Sequence, residues 1–245
     1  MKANVKKLIM NLLFPPVCVF CGKRLSPKVK RRVCAKCANA LQYCKAFNRC
    51  RRCGKPISVE SAGLCKSCYT HRFYASGITS SFVYVDIARD GILRFKKEKN
   101  RGNAKTFAEY IAAMVKLDYK AIEFDAIVSV PPRKKASSDD GYDQAAQLAQ
   151  AVALKLDLPY IKKAMYQIKK IKKQSFLKYA DRIKNVRDNF AVRKDDLVKN
   201  KTILLIDDVC TTCATLEECA KALRNAGAYK VYAATLATVP ALELT

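Results

Sequence analysis

The sequence predicts an α/β protein in which a parallel-sheet domain follows a small, cysteine-rich zinc-binding module. Three observations support this fold class. Short apolar runs typical of buried strands alternate with amphipathic helical stretches between residues 78 and 239. One of these runs ends in two adjacent aspartates and a threonine-rich loop. Ahead of the sheet, four Cys-x2-Cys pairs lie within about fifty residues.

The cysteine pairs define a predicted N-terminal module, residues 1–75. They form two sets with the spacing of zinc ribbons or treble-clef knuckles, namely Cys18, Cys21, Cys34 and Cys37, then Cys50, Cys53, Cys65 and Cys68. Four thiolates leave no open position on a metal, so we expect structural zinc in place of a hydrophobic core. Two alternatives stay open: one zinc with the other set degenerate, or a disulfide framework in an oxidising compartment.

The beginning of the chain resembles a signal peptide, but its apolar part is short, is interrupted by Asn11 and lacks a small-residue cleavage site. We interpret it as an amphipathic helix that packs on the zinc module. No apolar run reaches the roughly eighteen residues of a membrane span. We therefore expect a cytoplasmic protein whose 12 cysteines are reduced or metal-bound. The only histidine, His71, lies three residues after Cys68 in the predicted linker, and in this position it effectively excludes histidine-based acid–base or triad chemistry.

The second predicted domain, residues 76–245, contains the alternating strands and helices. The apolar and β-branched runs predict strands, and the amphipathic runs predict helices. We expect strands at 78–85, 126–130, 203–206 and 231–239, and helices at 86–95, 105–115, 143–156 and 216–226. This alternation implies a parallel sheet, with functional sites at the carboxyl ends of its strands.

The segment 202–216 carries the strongest functional signal. Its strand ends in Asp207 and Asp208, and a hydroxyl-rich loop and a helix follow. The loop amides and hydroxyls can surround a terminal phosphate at the positive end of the helix. The two carboxylates can accept hydrogen bonds from ribose hydroxyls or help hold a hydrated magnesium ion. The order of these parts predicts a site for a phosphorylated sugar.

This segment resembles the phosphoribosyl-pyrophosphate (PRPP) signature of type I phosphoribosyltransferases. The resemblance implies a PRPP site made of Asp207, Asp208, Thr211, Thr212, Cys213, Ala214 and Thr215, with Mg²⁺ accompanying the ligand. Cys213 stands where the signature has glycine, and we expect strain of about 1–3 kcal/mol there if the backbone needs a positive φ. Two alternatives stay open: the aspartates merely cap the helix, or the fold persists without ligand affinity.

The charge of the chain favours a polyanionic partner. Lysine and arginine number 47 against 21 acidic residues, a formal net charge of +26. One lysine cluster is interleaved with aromatic residues, a pattern used to bind single-stranded nucleic acid. Its candidate DNA-binding residues are Lys169, Lys170, Lys172, Lys173, Phe176 and Tyr179. The alternative is a lysine-rich protein background, with the aromatic residues in the core.

The whole order resembles the ComF family of competence-associated proteins, in which a zinc-ribbon module is fused to a phosphoribosyltransferase-type domain. Similar blocks are Gly54-x-Pro56, Asp90-Gly91-x-Leu93-Arg94, Gly141-Tyr142-x-Gln144-Ala145 and Gln174-Ser175-x-Leu177. Asp140 and Asp143 place acids where the family has arginine and asparagine. The resemblance implies a role in handling incoming single-stranded DNA during natural transformation, with a competence helicase as a candidate partner.

Three functional hypotheses follow from these residues. The first is a competence protein that binds single-stranded DNA and retains a PRPP-type pocket. The second is an active phosphoribosyltransferase that transfers a pentosyl group from PRPP to an unknown acceptor. The third is a zinc-dependent interaction scaffold without a ligand. No residue of the sequence stands out as a general base for the second hypothesis.

Overall fold

The computed structural model describes residues 14–29, 31–58, 63–70, 73–98, 101–132, 143–169 and 186–241. The cysteine module has two short helices, α1 (Ala35–Ala40) and α2 (Lys66–Thr70). The strands that follow are β1 (Gly77–Val83), β2 (Ala126–Ser129), β3 (Met165–Gln167), β4 (Phe190–Val192), β5 (Thr202–Cys210) and β6 (Lys230–Thr238). The longer helices are α3 (Asp86–Glu98), α4 (Arg101–Asp118), α5 (Gln144–Leu156) and α6 (Ala214–Asn225).

The described strands form a four-stranded parallel sheet in the order β1-β6-β5-β2. Tyr160 extends the β2 edge through a parallel bridge to Ile127. The remaining strands, β3 and β4, pair antiparallel as a separate two-stranded sheet. The parallel sheet confirms the predicted fold class, and it brings the carboxyl ends of β5 and β6 to the same edge.

The parallel sheet is buried on both faces, as its continuous apolar strands require. On β5, Ile203 and Leu205 belong to one core and Leu204 and Ile206 to the other. The core of Leu204 and Ile206 includes apolar residues of α3, α4 and α5. The core of Ile203 and Leu205 includes those of α6, β3 and β4. Two layers of packing therefore fix the position of β5 in the centre of the domain.

The two cysteine sets pack on opposite faces of this sheet. Phe20 lies between Cys18 and Cys21 of the first set. Its ring packs edge-on against Phe82 and Phe107, with centroid distances of 5.7 Å and 5.5 Å respectively. A Cβ at Gly91 would lie 2.5 Å from the Phe20 ring, so glycine there permits the close approach of α3. The cysteines of the second set share a buried cluster with β5 and α6. The cysteine-rich module is thus packed against both cores of the sheet domain.

The predicted strands and helices agree with the structure to within about four residues, except that β5 is longer and the pair β3 and β4 was not predicted. The apolar run predicted a strand ending at residue 206, but β5 continues to Cys210 and includes both aspartates. Its partner β6 runs alongside over the same distance, pairing Asp207 with Thr235 and Cys210 with Thr238. Among the described helices, none combines the length and the apolar composition needed to cross a bilayer.

Candidate functional site

Both cysteine sets have the geometry of a four-thiolate zinc site. In each set the four sulfur atoms lie within 4.8 Å of one another. The Sγ atoms of Cys21 and Cys34 are 3.8 Å apart, and those of Cys53 and Cys65 are 3.7 Å apart. Zinc–sulfur bonds of about 2.3 Å in a tetrahedron place the sulfurs about 3.8 Å from one another. The residues therefore fit two closed, structural zinc centres.

Tight turns bring each pair of cysteines together. Gly22 and Gly54 follow the second cysteine of their pairs with φ of +75° and +66°, and each donates its amide to the carbonyl of the pair's first cysteine. Cys34 caps α1 and accepts a hydrogen bond from the Cys37 amide, which lowers the pKa of its thiol to about 7. A lower pKa favours the thiolate that a metal requires.

Cys44 lies outside both sets and is fully buried, as expected of a small hydrophobic residue. Burial raises the pKa of its thiol to about 12. The structure contains all 12 cysteines as free thiols, without a disulfide among them.

The predicted phosphate loop connects the end of β5 to α6. Thr211, Thr212 and Thr215 are partly exposed, while Cys213 and Ala214 are buried. The hydroxyl of Thr212 accepts a hydrogen bond from the Ala214 amide at 3.3 Å. The Cys213 carbonyl accepts the first helical bond from the Glu217 amide at 2.9 Å. The structure thus brings the threonines to the N-terminus of a 12-residue helix.

Cys213 adopts the left-handed conformation that the PRPP signature reserves for glycine. Its φ is +62° and its ψ is −3°, a backbone conformation that glycine adopts with less strain than cysteine. The side chain is only 5% exposed. It belongs to the same buried cluster as Cys210 and as Cys53 of the second cysteine set. Burial of the thiol in this core therefore accompanies the strained backbone.

The two aspartates lie side by side at the carboxyl end of β5, and both are partly exposed. The Asp207 carboxylate accepts a hydrogen bond from the Asp208 amide at 2.8 Å. Burial, together with the negative charge of Asp208, raises the pKa of Asp207 to about 7. Asp207 therefore holds its proton nearer to neutral pH than an ordinary aspartate does.

Lys96 of α3 is a site residue that the sequence did not identify. Its Nζ lies 2.8 Å from Oδ2 of Asp208. Burial acts to lower the pKa of Lys96, but the charges of Asp208 and Asp207 raise it above its usual value. The only sequence signal would have been its place at the end of an amphipathic helix, which many lysines share. The site therefore contains one ammonium group beside two carboxylates.

Lys55 and Asp143 are further neighbours of the loop. Lys55, which is 7% exposed, donates from Nζ to the Thr211 carbonyl. Asp143 caps α5 by accepting from the Ala146 amide at 2.9 Å, and its negative charge acts on Asp207 and Asp208. The acid at position 143 thus faces the predicted PRPP site. Asp140, the other departure from the family pattern, lies outside the described residues.

Of the candidate nucleic-acid residues, only Lys169 is described, and its side chain is exposed. Its backbone is fixed by Asn189, whose Oδ1 accepts from the Lys169 amide at 2.6 Å. Tyr166 of β3, three residues before Lys169, is 37% exposed, and its ring centroid lies 5.3 Å from the guanidinium carbon of Arg193. Lys170, Lys172, Lys173, Phe176 and Tyr179 lie outside the described residues.

Comparison with solved structures finds phosphoribosyl enzymes. The glutamine PRPP amidotransferase from B. subtilis, complexed with ADP and GMP, is 22% identical with a TM-score of 0.36, over 62% of this chain and 28% of that chain. A purine phosphoribosyltransferase from Pyrococcus horikoshii is 18% identical with a TM-score of 0.33, over 55% and 72% of the two chains. These superpositions are partial, and the fold is assigned from the strand order and the family models.

Two family models match the chain in sequence. A double zinc ribbon domain matches residues 9–69, and a phosphoribosyl transferase domain matches residues 142–244. The first match contains both cysteine sets, and the second contains the phosphate loop. The two models thus occur in the order that the sequence predicted, zinc module first and phosphoribosyltransferase-type domain second.

Curated relatives share this order over nearly their whole length. Competence protein F from Haemophilus influenzae is 27% identical over 219 residues, which cover 87% of this chain and 93% of that protein. Competence protein ComFC from Bacillus subtilis is 25% identical over 227 residues, or 86% of this chain and 90% of that protein. The double zinc ribbon, the phosphoribosyl transferase domain and these relatives together support the ComF family of competence-associated proteins for this chain.

Proposed function

We propose that the loop between β5 and α6 binds PRPP with Mg²⁺, and that the protein handles single-stranded DNA during natural transformation. One observation carries the first part: a pair of aspartates at a strand end leads through a threonine loop into the N-terminus of α6. This arrangement suits a sugar that carries both hydroxyls and a terminal phosphate. The PRPP signature of the sequence supports the same ligand.

Each part of the site has a separate task in this proposal. Thr211, Thr212 and Thr215 supply hydroxyls, and with the amides up to Thr215 they hold the ribose phosphate at the positive end of α6. Asp207 and Asp208 accept hydrogen bonds from the ribose hydroxyls. If Mg²⁺ accompanies the ligand, the same carboxylates would help hold the hydrated ion, and the ion would offset the charge of the pyrophosphate. Lys96 neutralises Asp208, which reduces the repulsion between the aspartates and an anionic ligand.

Charge and exposed aromatic surface support DNA as the partner. The net charge of +26 attracts a polyanion from any side. The surface of β3 and β4 presents Tyr166 beside Arg193, with exposed Lys169 at the end of the strand. An exposed ring and neighbouring cations are the groups that stack on bases and neutralise phosphates. The candidate cluster from Lys169 to Tyr179 follows directly in sequence.

The proposed setting is the cytoplasm, where a competence helicase is the candidate protein partner. Two four-thiolate zinc centres need reduced cysteines, which a cytoplasmic location provides. The names of the relatives associate them with competence. We infer that this chain binds single-stranded DNA after its uptake. The PRPP site would then act as a ligand sensor, or as a structural support, for the DNA-binding protein.

Calorimetric titration of the zinc-loaded protein with PRPP and Mg²⁺ tests the pocket. We expect saturable binding by the parent, none by the double variant Asp207→Asn/Asp208→Asn, and parent-like binding by the exposed control Asp195→Asn/Asp196→Asn. No heat from the parent would contradict the pocket. Pyrophosphate release during the titration would instead indicate pentosyl transfer. Titration of single-stranded DNA on the same samples tests the second part separately, and no binding at low salt would contradict it.

A further inference from the structure

The second cysteine set touches the phosphate loop directly, although the two are far apart in sequence. Lys55 follows the Cys50–Cys53 knuckle by two residues and donates its ammonium to the carbonyl of Thr211. Cys53 belongs to the same buried cluster as Cys213, the N-cap residue of α6. The second cysteine set is thus connected to the stretch Thr211–Cys213 by a hydrogen bond at one end and by a shared core at the other.

The ammonium of Lys55 needs a nearby negative charge, because the side chain is 7% exposed. A closed four-thiolate zinc centre carries a net charge of about −2 when zinc is bound. Lys55 follows Cys53 of this set by two residues, so a zinc centre here would place negative charge near the residue that donates to the Thr211 carbonyl.

The helix after the loop also contacts the segment that follows the second zinc ribbon, which we define as residues 50–68 with the second cysteine set. Glu217 in the first turn of α6 accepts hydrogen bonds from the amides of Tyr74 and Ala75, at 2.6 and 3.4 Å. Lys221, one turn further on, lies 5.8 Å from the centroid of the Tyr74 ring. The loop is therefore hydrogen-bonded to the second ribbon through Lys55, and the start of α6 contacts the segment that follows this ribbon.

We propose that the second zinc ribbon holds the phosphate loop in its binding conformation, with Lys55 and Cys213 as positioning residues, so that zinc occupancy of this ribbon and PRPP affinity are linked. The inference rests on the proposed PRPP site for its ligand. Its structural part, that the ribbon orders the loop, stands without any ligand. Rigid support matters here because an ordered loop binds phosphate without first losing conformational entropy.

The test compares Lys55→Met with Lys66→Met in the full zinc-loaded chain. Lys66 is the matched control, because it belongs to the same ribbon and is exposed. Hydrogen–deuterium exchange of the segment 208–217 reports loop order, titration with PRPP and Mg²⁺ reports affinity, and metal analysis reports zinc content. For Lys55→Met we expect faster exchange of this segment and about tenfold weaker PRPP binding at unchanged zinc content. Lys66→Met should match the parent in all three.

The outcomes separate this inference from the proposed function. Parent-like exchange and parent-like affinity in Lys55→Met would overturn the inference. Faster exchange of the loop in Lys55→Met, with no PRPP binding by the parent, would support the positioning role and contradict the PRPP site instead. If Lys55→Met does not fold, the inference is decided by measuring the zinc affinity of the parent with and without PRPP. Linkage is reciprocal, so saturating PRPP should raise the affinity for one of the two zinc ions, measured by equilibrium competition with a chromophoric chelator. Equal zinc affinities with and without PRPP would overturn the linkage.

Discussion

Lys96 on α3 forms an ion pair with Asp208 on β5, with 2.8 Å between Nζ and Oδ2. The two side chains are 36% and 15% exposed, so water only partly screens the pair. The contact joins a helix on one face of the sheet to the strand end where the predicted ligand lies. It also removes one of the two negative charges that an incoming phosphate would meet.

The first prediction follows from this ion pair. Replacing Lys96 with methionine leaves Asp207 and Asp208 without their cation, so we expect PRPP–Mg²⁺ affinity to fall on the order of tenfold. The neighbouring Lys97 is exposed, and Lys97→Met removes the same charge outside the site. Calorimetric titration of both variants measures the difference. Equal affinities of the two variants would show that Lys96 plays no part in binding.

The second prediction concerns the number of zinc ions. Metal analysis of the parent should give two zinc ions per chain, one for each four-cysteine set. Cys65→Ala should lose one ion and unfold its ribbon, since structural zinc contributes on the order of 10 kcal/mol. Cys44→Ala removes an equally buried thiol outside both sets and should keep both ions. A single zinc in the parent would favour a degenerate set.

The third prediction isolates the strain at Cys213, whose φ is +62°. Cys213→Gly and Cys213→Ala both lose the buried thiol, but only glycine relieves the left-handed backbone. We therefore expect the glycine variant to be more stable than the alanine variant by about 1–2 kcal/mol in urea unfolding. Equal stabilities of the two variants would mean that the backbone at this position is not strained.

The fourth prediction is a pH dependence from Asp207. Burial raises its pKa to about 7 in the folded protein, whereas the unfolded chain has a value of about 3.9. Between these values the folded state binds more protons, so its stability falls as pH rises through about 7. Between about pH 6 and about pH 8 the parent should lose about 1 kcal/mol more unfolding free energy than Asp207→Asn. The exposed control Asp196→Asn should follow the parent, and an unchanged slope in Asp207→Asn would contradict the shifted pKa.

The sequence alone predicted those features that depend on local spacing. The cysteine sets and the strand–loop–helix order of the PRPP segment lie within short stretches, and the structure brings each set together. The continuation of β5 through Asp207 and Asp208 could not be predicted, because the local apolar run ends at Ile206. The strand continues because β6 pairs with it as far as Cys210.

The residues that support the site were missed because their partners are distant in sequence. Lys55 and Thr211 are 156 positions apart, and no local pattern relates them. Lys96 was one lysine among many in a basic chain. Only the packing of α3 and of the second ribbon on the sheet brings these ammonium groups to the loop. Support from long-range contacts of this kind is therefore a property of the fold rather than of a motif.

The last prediction concerns single-stranded DNA. Binding should be tight at low salt and weaken steeply as salt is added, because each neutralised phosphate releases about 0.7 of a counterion. Changing Lys169, Lys170, Lys172 and Lys173 together to glutamine should flatten the logarithmic salt slope by about 3 units if all four contact phosphates. Phe176→Ala or Tyr179→Ala should leave the slope unchanged and lower the affinity by about 1–3 kcal/mol for each stacked base that is lost.

The matched control changes four basic residues of the zinc module, Lys28, Arg31, Arg32 and Arg51, to glutamine. A slope that responds to this control and not to the lysine cluster would place the DNA on the zinc module, because only phosphate contacts contribute to the slope.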